Sequence, residues 1–210
     1  MDTVALREGL TRLGLAPTDR QIEQLAAYAA VLLRWNKTYN LTAIRHEDEV
    51  LTHHLLDSAA MVPHIAVEAP DAKTVLDVGS GGGLPAVPIA VFRPDLQVTA
   101  VDAVGKKAAF INQAAIELGL RNLRARHSRV EKLPGTYDVI TSRAFATMKD
   151  FTTLTASLAH EDTKWLAMKA VHPEDELADL PGHARALKTI KLEVPGLDEA
   201  RCLVVLTPAD

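Results

Sequence analysis

The chain has a single cysteine, Cys202, so no internal disulfide framework is available to it. Long apolar runs are missing too, since nothing approaches the roughly eighteen residues of a membrane span. Met1-Asp2-Thr3 opens the chain with an acid, unlike an export signal. The expected setting is therefore the reducing cytoplasm, without a membrane partner, and the glycosylation-like triplets at Asn36 and Asn40 are coincidental there. There is no internal repeat and no low-complexity tract. Nor is there an excess of basic residues: the net charge is −4, which opposes nonspecific binding to phosphate chains unless the cations cluster. The 210 residues suffice for one domain with a full core plus an appendage, the usual unit being about 150.

What the chain does have is a concentration of glycine. Thr74 to Val78 is a short apolar strand pattern, Gly79, Gly81, Gly82 and Gly83 follow at once, and Ala86 to Phe92 is apolar enough for a packed helix. Strand, glycine turn and helix together make a site for a nucleotide-type ligand. No Gly-Lys-Ser/Thr follows, which excludes a P-loop. A nicotinamide-type fingerprint fits only in a forced register on Gly81, Gly83 and Ala86, with Asp102 about twenty residues on. In that register Asp77 would face a pyrophosphate, and two anions in one pocket repel. S-adenosyl-L-methionine carries an ammonium and a sulfonium, for which Asp77 is an attractive partner. The spacing Asp77-x-Gly79-x-Gly81-x-Gly83 resembles the first motif of Rossmann-like class I methyltransferases.

Element order extends this reading. Residues before about 70 follow helical periodicity, over Val4 to Leu15, over Ile22 to Leu33 with Thr18 as the cap, and over Glu47 to Val62. Strands and helices then alternate. Strands are expected at Thr74 to Val78, Leu96 to Val101, Leu123 to Ala125, Val139 to Ser142 and Trp165 to Met168, with helices at Lys106 to Leu118 and Phe151 to Leu158. Thr189 to Val194 and Cys202 to Leu206 suit a terminal antiparallel hairpin around Pro195-Gly196. The expected fold is α/β, a mostly parallel seven-stranded Rossmann-like sheet with a C-terminal antiparallel hairpin. A helical extension over 1–68 is expected to pack on the domain of 69–210 as one structural unit.

In such a sheet, ligands sit at the carboxyl ends of the strands. Asp102 closes the second strand, where a carboxylate accepts both hydroxyls of a ribose; a solvated loop acid is the plainer alternative. Val130 and Glu131 follow the third strand, where an amide and an acid read an adenine edge. Ser142-Arg143-Ala144-Phe145 closes the fourth, beside the reacting methyl group. That sequence is not the Asp/Asn-Pro-Pro-aromatic commonly used on exocyclic amines, and no cysteine stands at a strand end for attack on a pyrimidine carbon. A ring nitrogen such as guanine N7 needs neither device, because its lone pair is free and no proton has to leave. Catalysis is then mainly alignment, able to supply on the order of 7–11 kcal/mol.

Tyr39 to Arg45, His54 to Ser58, Asp77 to Pro85, Ser128 to Glu131 and Ser142 to Ala146 together resemble the bacterial small-subunit rRNA guanine-N7 methyltransferases called RsmG, formerly glucose-inhibited division protein B. The match runs from about residue 35 to about residue 170, in the family's order. It implies methyl transfer from S-adenosyl-L-methionine to N7 of the guanine called position 527 in 16S rRNA, on the small subunit or an assembly intermediate. It also implies cofactor contacts at Gly79, Leu84, Val130, Glu131 and Arg143, to which the residues themselves add Asp77, Gly81 and Asp102. Ala86 and Ala170 stand where that family usually has glycine, and beyond residue 175 the similarity carries no residue over.

Arg143 is the candidate catalytic residue. Its guanidinium would repel a sulfonium, so the partners open to it are the cofactor's carboxylate, a substrate phosphate, guanine O6 or a neighbouring acid of the fold. His54 and Asp57 are expected on one helix face, as an orienting pair or a packing pair, and no third ligand makes them a metal site. Lys169 meets RNA phosphate or solvent. Arg121, Arg124, Arg126, Arg129 and Lys132 crowd one segment, with Lys106 and Lys107 before it, so a basic face can exist on an acidic chain; Arg124 and Arg126 are its RNA-binding candidates, a plain solvated run being the alternative. A monomer is expected. A nicotinamide-dependent reductase and a non-catalytic RNA-binding module with a nucleotide pocket are the competing classes.

Overall fold

A computed structural model describes residues 1–170 and 173–209. Its single sheet has seven strands in the order β3-β2-β1-β4-β5-β7-β6. The strands are β1 (Thr74–Val78), β2 (Gln97–Asp102), β3 (Leu123–His127), β4 (Val139–Arg143), β5 (Lys164–Lys169), β6 (Ala184–Leu192) and β7 (Arg201–Pro208). The first five are parallel, and β7 runs antiparallel between β5 and β6. Central β1 is buried almost throughout because helices cover both faces of the sheet. At the two edges the pattern loosens: β3 exposes Arg124 and Arg126, and β6 exposes alternate residues and carries a bulge between Ala186 and Lys188.

The helices are α1 (Thr3–Arg12), α2 (Asp19–Tyr39), α3 (Glu47–Glu49), α4 (Asp57–Ala59), α5 (Val62–Glu68), α6 (Ala86–Phe92), α7 (Gly105–Glu117), α8 (Met148–Thr155) and α9 (Glu174–Ala178). Thr18 caps α2 in a reciprocal box with Gln21, and Asn40 closes it in the left-handed region. Ile22, Leu25, Tyr28 and Leu32 make its buried stripe, which rests on α6 and α7. One continuous apolar cluster thus joins Leu6, Leu10, Leu25 and Leu32 to Val87, Ile89 and Phe110 of the sheet domain.

Two expectations are corrected. The single helix over Glu47 to Val62 is broken: π-helical turns occupy Val50–Leu56 between α3 and α4, and α5 begins separately at Val62. His54 and Asp57 nevertheless face the same side, as expected, and both approach the Arg143 guanidinium. The strand expected at Thr189 to Val194 instead spans Ala184–Leu192. Only one face of this edge strand packs, so its early half shows too little apolar alternation to be read.

Candidate functional site

Several groups of the glycine turn are held by named partners. Gly79 and Ser80 N–H both donate to Val101 O, at 3.0 and 3.2 Å, tying the turn to β2. Gly79, Gly81 and Gly83 take φ of 66°, 58° and 86°, a region closed to most side chains. Asp77 lies beneath. Its carboxylate is fully buried and accepts from Ser80 Oγ, from Ala86 N at 3.1 Å and from Thr141 Oγ1 at 3.3 Å. It lines neither cavity described below, so direct contact with an ammonium or sulfonium is corrected to a role as the anchor of the turn. From above, Asp102 Oδ2 accepts from Gly81 N at 3.0 Å, and Tyr28 Oη donates to Gly82 O at 2.6 Å.

Two cavities meet at Gly79. The first, about 420 Å³, opens over the ends of β2 and β3 and is lined by Asp102, Ser128, Val130, Glu131 and Phe145. Asp102 carries two N–H donors there, from Gly81 and Val104, and a carboxylate can accept further bonds from a diol. The second, about 480 Å³, opens over β1, β4 and β5 and is lined by Gly79 to Gly82, Leu84, Arg143 and Lys169, with Thr42, His54 and Asp57 closing it from the helical extension. At Gly81 an added Cβ would meet nothing nearer than Gly79 O at 3.9 Å, which leaves the turn's backbone open to a ligand. A two-lobed site with an acid at the end of β2 and a bare peptide edge at its centre fits S-adenosyl-L-methionine.

Arg143 ends β4 and turns toward the extension. Nη1 donates to Asp57 Oδ2 at 2.9 Å and to His53 O at 2.8 Å, and Nη2 lies 3.4 Å from His54 Nδ1. The neighbouring acid is thus its partner in the fold, and the cation also faces the second cavity. His54 Nε2 shares a hydrogen bond of 2.8 Å with Thr42 Oγ1. Burial, then the Arg143 charge, lowers the His54 pKa to about 4, so its imidazole is neutral near pH 7. Lys169 bonds to Ala146 O and Glu176 Oε2, each at 2.8 Å, and is neither free nor simply solvated. Arg124 reaches Thr99 Oγ1 at 3.3 Å; it and Arg126 are exposed on the edge strand, outside both cavities.

Three residues of the site have no signal in the local spacing of the sequence. Tyr28 is indistinguishable from a core aromatic on an amphipathic helix. Thr42 lies in a loop whose only mark is the resemblance. Arg201, the first residue of β7, donates from Nε to Asp57 Oδ1 at 3.0 Å across 144 positions of chain.

Asp77 and His54 oppose each other in acid. Burial pushes the Asp77 pKa up to about 6 against the hydrogen bonds from Ser80, Ala86 and Thr141. Its stability contribution is therefore fully present below the unfolded value near ~3.9 and is lost as pH rises through about 6. The His54 pKa is depressed to about 4, so its contribution is present above the unfolded value near ~6.5 and is lost as pH falls through about 4. Each is on the order of 2–3 kcal/mol over the whole window. Calorimetric midpoints of Asp77→Asn are expected to fall more steeply than wild type between roughly pH 6.5 and 4.5, and those of His54→Gln less steeply. Equal slopes in all three proteins would refute this balance.

Comparison with known proteins places the whole chain. Residues 21–204 match the profile of the family GidB, described as rRNA small subunit methyltransferase G. A ribosomal RNA small subunit methyltransferase G of Acidovorax sp. (strain JS42) is 49% identical over 213 residues, covering 97% of this chain and 94% of the relative. One from Neisseria meningitidis serogroup A / serotype 4A (strain DSM 15465 / Z2491) is 48% identical over 203 residues, covering 96% of each. Among solved structures, an O-methyltransferase from Bacillus cereus in complex with SAH aligns at a TM-score of 0.61 and 13% identity over 93% of each chain. TrmN from Thermus thermophilus aligns at 0.58 and 17% identity over 76% of this chain and 53% of the other. At such identities these two speak for the fold alone.

Proposed function

The chain belongs to the rRNA small subunit methyltransferase G family, and from that premise we propose that it transfers a methyl group from S-adenosyl-L-methionine to N7 of one guanine, position 527, of 16S rRNA. The observation that carries this is near-complete coverage by the relatives together with a cavity lining suited to a reaction without proton removal. His54 is pushed to about 4 and is a weak base. Cys202 is buried on β7 and lines neither cavity. Such a lining positions a nucleophile that already has its lone pair.

Each part of the chain has a task in this reading. Asp102 takes the ribose hydroxyls, Val130 and Glu131 take the adenine edge, and Gly79, Gly81 and Leu84 border the methionine portion. When bound, S-adenosyl-L-methionine supplies a methyl group on a positively charged sulfur, which is left as a neutral thioether. Asp77 acts through the turn that it anchors, and Arg143, steadied by Asp57, marks the side from which guanine enters. The 1–68 extension and the 69–210 domain work as one unit, because Tyr28 holds the turn and Thr42, His54 and Asp57 wall the cavity. Activity as a monomer in the cytoplasm, on the small subunit or its assembly intermediate, belongs to the same proposal.

The test is direct. Purified protein should bind S-adenosylhomocysteine and not NAD in a calorimetric titration, and should methylate 16S rRNA at a single N7 located by mass spectrometry. NAD binding alone would sink the proposal. Arg124 and Arg126 extend the substrate surface along β3: reversing both to glutamate is expected to weaken RNA binding and flatten its salt dependence while sparing S-adenosylhomocysteine affinity. Equal loss of both affinities would point to misfolding and remove these arginines from the RNA surface.

A further inference from the structure

Two arginines share one buried carboxylate at the edge of the second cavity, and one of them comes from the C-terminal hairpin. Asp57 has a side chain only 4% exposed, and its two oxygens are divided between Arg143 Nη1 at 2.9 Å and Arg201 Nε at 3.0 Å. Both arginine side chains are themselves largely covered, at 19% and 18% exposure. The group therefore carries two positive charges and one negative. Lys169, on the same cavity, is matched by Glu176 at 2.8 Å and neither adds to the surplus nor relieves it. A partly desolvated excess cation facing a cavity is stabilised by an anionic ligand.

Strand order indicates which anion. In the register Lys169↔Cys202, Arg201 lies one position beyond the carboxyl end of β5, on the ligand side of the sheet. Going outward from β1 the strands are β4, β5 and β7, so this hairpin end stands three strand spacings, roughly 14 Å, from the strand that carries the glycine turn. The ribose acid Asp102 is on β2, on the opposite side of β1. Arg201 thus approaches from the side where a substrate enters, away from the adenosine lobe.

The hairpin is seated there firmly. A Cβ on Gly196 would be 3.0 Å from Thr52 Cγ2, and Glu199 Oε1 lies 3.9 Å from His53 Nε2, so the β6–β7 loop rests on the π-helical turns that present Asp57. Among the described residues, the Arg201 side chain donates only to Asp57 and to Ala200 O at 3.0 Å. A guanidinium has five N–H donors, and those that remain suit the paired oxygens of a phosphodiester.

We propose that Arg201 binds a backbone phosphate of the RNA next to the target guanine, with Asp57 coupling that contact to Arg143. This rests on the rRNA methyltransferase reading above and deepens it, making the C-terminal hairpin part of the substrate site. Arg201 touches substrate without touching the reacting atoms; Asp57 is a positioning residue.

The experiment compares the full-length protein with Arg201→Gln and Arg201→Lys on small subunits that lack the modification. Arg201→Gln is expected to raise KM for the RNA substrate roughly tenfold near 0.1 M salt and to reduce the slope of log(kcat/KM) against log[salt] by about one. Arg201→Lys should restore the slope, and S-adenosylhomocysteine affinity should stay within about twofold in both, since Arg201 lines the second cavity from the hairpin side, three strands from the glycine turn. Dicarbonyl footprinting of wild-type arginines, read by mass spectrometry, gives a measure independent of variant folding. RNA should protect Arg201 and S-adenosylhomocysteine should not. Protection by S-adenosylhomocysteine alone, or a loss of its affinity with RNA KM unchanged, would assign Arg201 to the cofactor and overturn the proposal. An unchanged salt slope with a lowered thermal midpoint would reduce Arg201 to a clamp on Asp57. Failure of the wild type to methylate rRNA would refute the broader reading instead, and is seen before any variant is compared.

Discussion

Gly79→Ala is expected to lower kcat/KM by at least about a hundredfold, roughly 2.8 kcal/mol, and to weaken S-adenosylhomocysteine binding by more than about tenfold, roughly 1.4 kcal/mol. The residue sits at φ 66°, where an alanine costs roughly 1–2 kcal/mol. The larger effect is steric. A Cβ built on Gly79 would overlap the Phe145 ring, which covers the glycine where the two cavities meet. The backbone carrying Phe145 is itself strained, with Ala144 and Ala146 on either side both in the left-handed region, at φ 51° and 34°. Either the turn shifts away from its two bonds to Val101 O or the ring is pushed into the adenosine lobe. Gly135→Ala separates strain from obstruction. Gly135 also has a positive φ, 83°, but an added Cβ there would meet nothing within 4 Å. That variant should lose roughly 1 kcal/mol of stability and keep its affinity for S-adenosylhomocysteine. Equal losses of affinity in the two variants would show that backbone strain alone, and not contact with Phe145, explains the Gly79 effect.

Phe145 also shows how far the sequence could be read. Strands, their order of appearance and the ligand face were legible, because a strand buried on both faces writes a short, largely apolar run and the glycine turn follows one directly. Asp102 ends β2 and Val130 and Glu131 follow β3, at the strand ends where that logic looks for ligand contacts. Spacing alone marks Asp102, and the resemblance adds Val130 and Glu131. Side-chain direction was not legible. Asp77 shares its spacing with a ligand-binding acid, yet Ser80, Ala86 and Thr141 draw its carboxylate beneath the turn. The π-helical turns at Val50–Leu56 leave no pattern that differs from an α-helix, so the break in that helix was not legible. Arg201 was invisible for another reason. Its meeting with Asp57 depends on β7 inserting between β5 and β6 antiparallel, a long-range fact that no local window contains.

Asp57→Ala is expected to have the largest effect on stability of any single substitution at the site, about 3–5 kcal/mol, the range seen when one partner of a buried ion pair is removed. The carboxylate is the shared acceptor for Arg143 and Arg201, both mostly covered, so its loss leaves two cations facing each other across the space it occupied. Arg143 would keep only His53 O and the weak approach to His54 Nδ1. Activity should fall with it even at temperatures where the variant remains folded, because the guanidinium beside the guanine entry is no longer aimed. The physical cause is uncompensated charge, and that can be isolated. Combining Asp57→Ala with Arg201→Met removes one cation along with the anion and should regain part of the lost midpoint in thermal unfolding, giving a coupling of more than about 0.5 kcal/mol between the two positions. Activity should not return in the double variant, since Arg143 still lacks its anchor. Strict additivity of the two substitutions would mean that Asp57 and Arg201 contribute independently, and the shared-carboxylate description of this corner of the site would then be wrong.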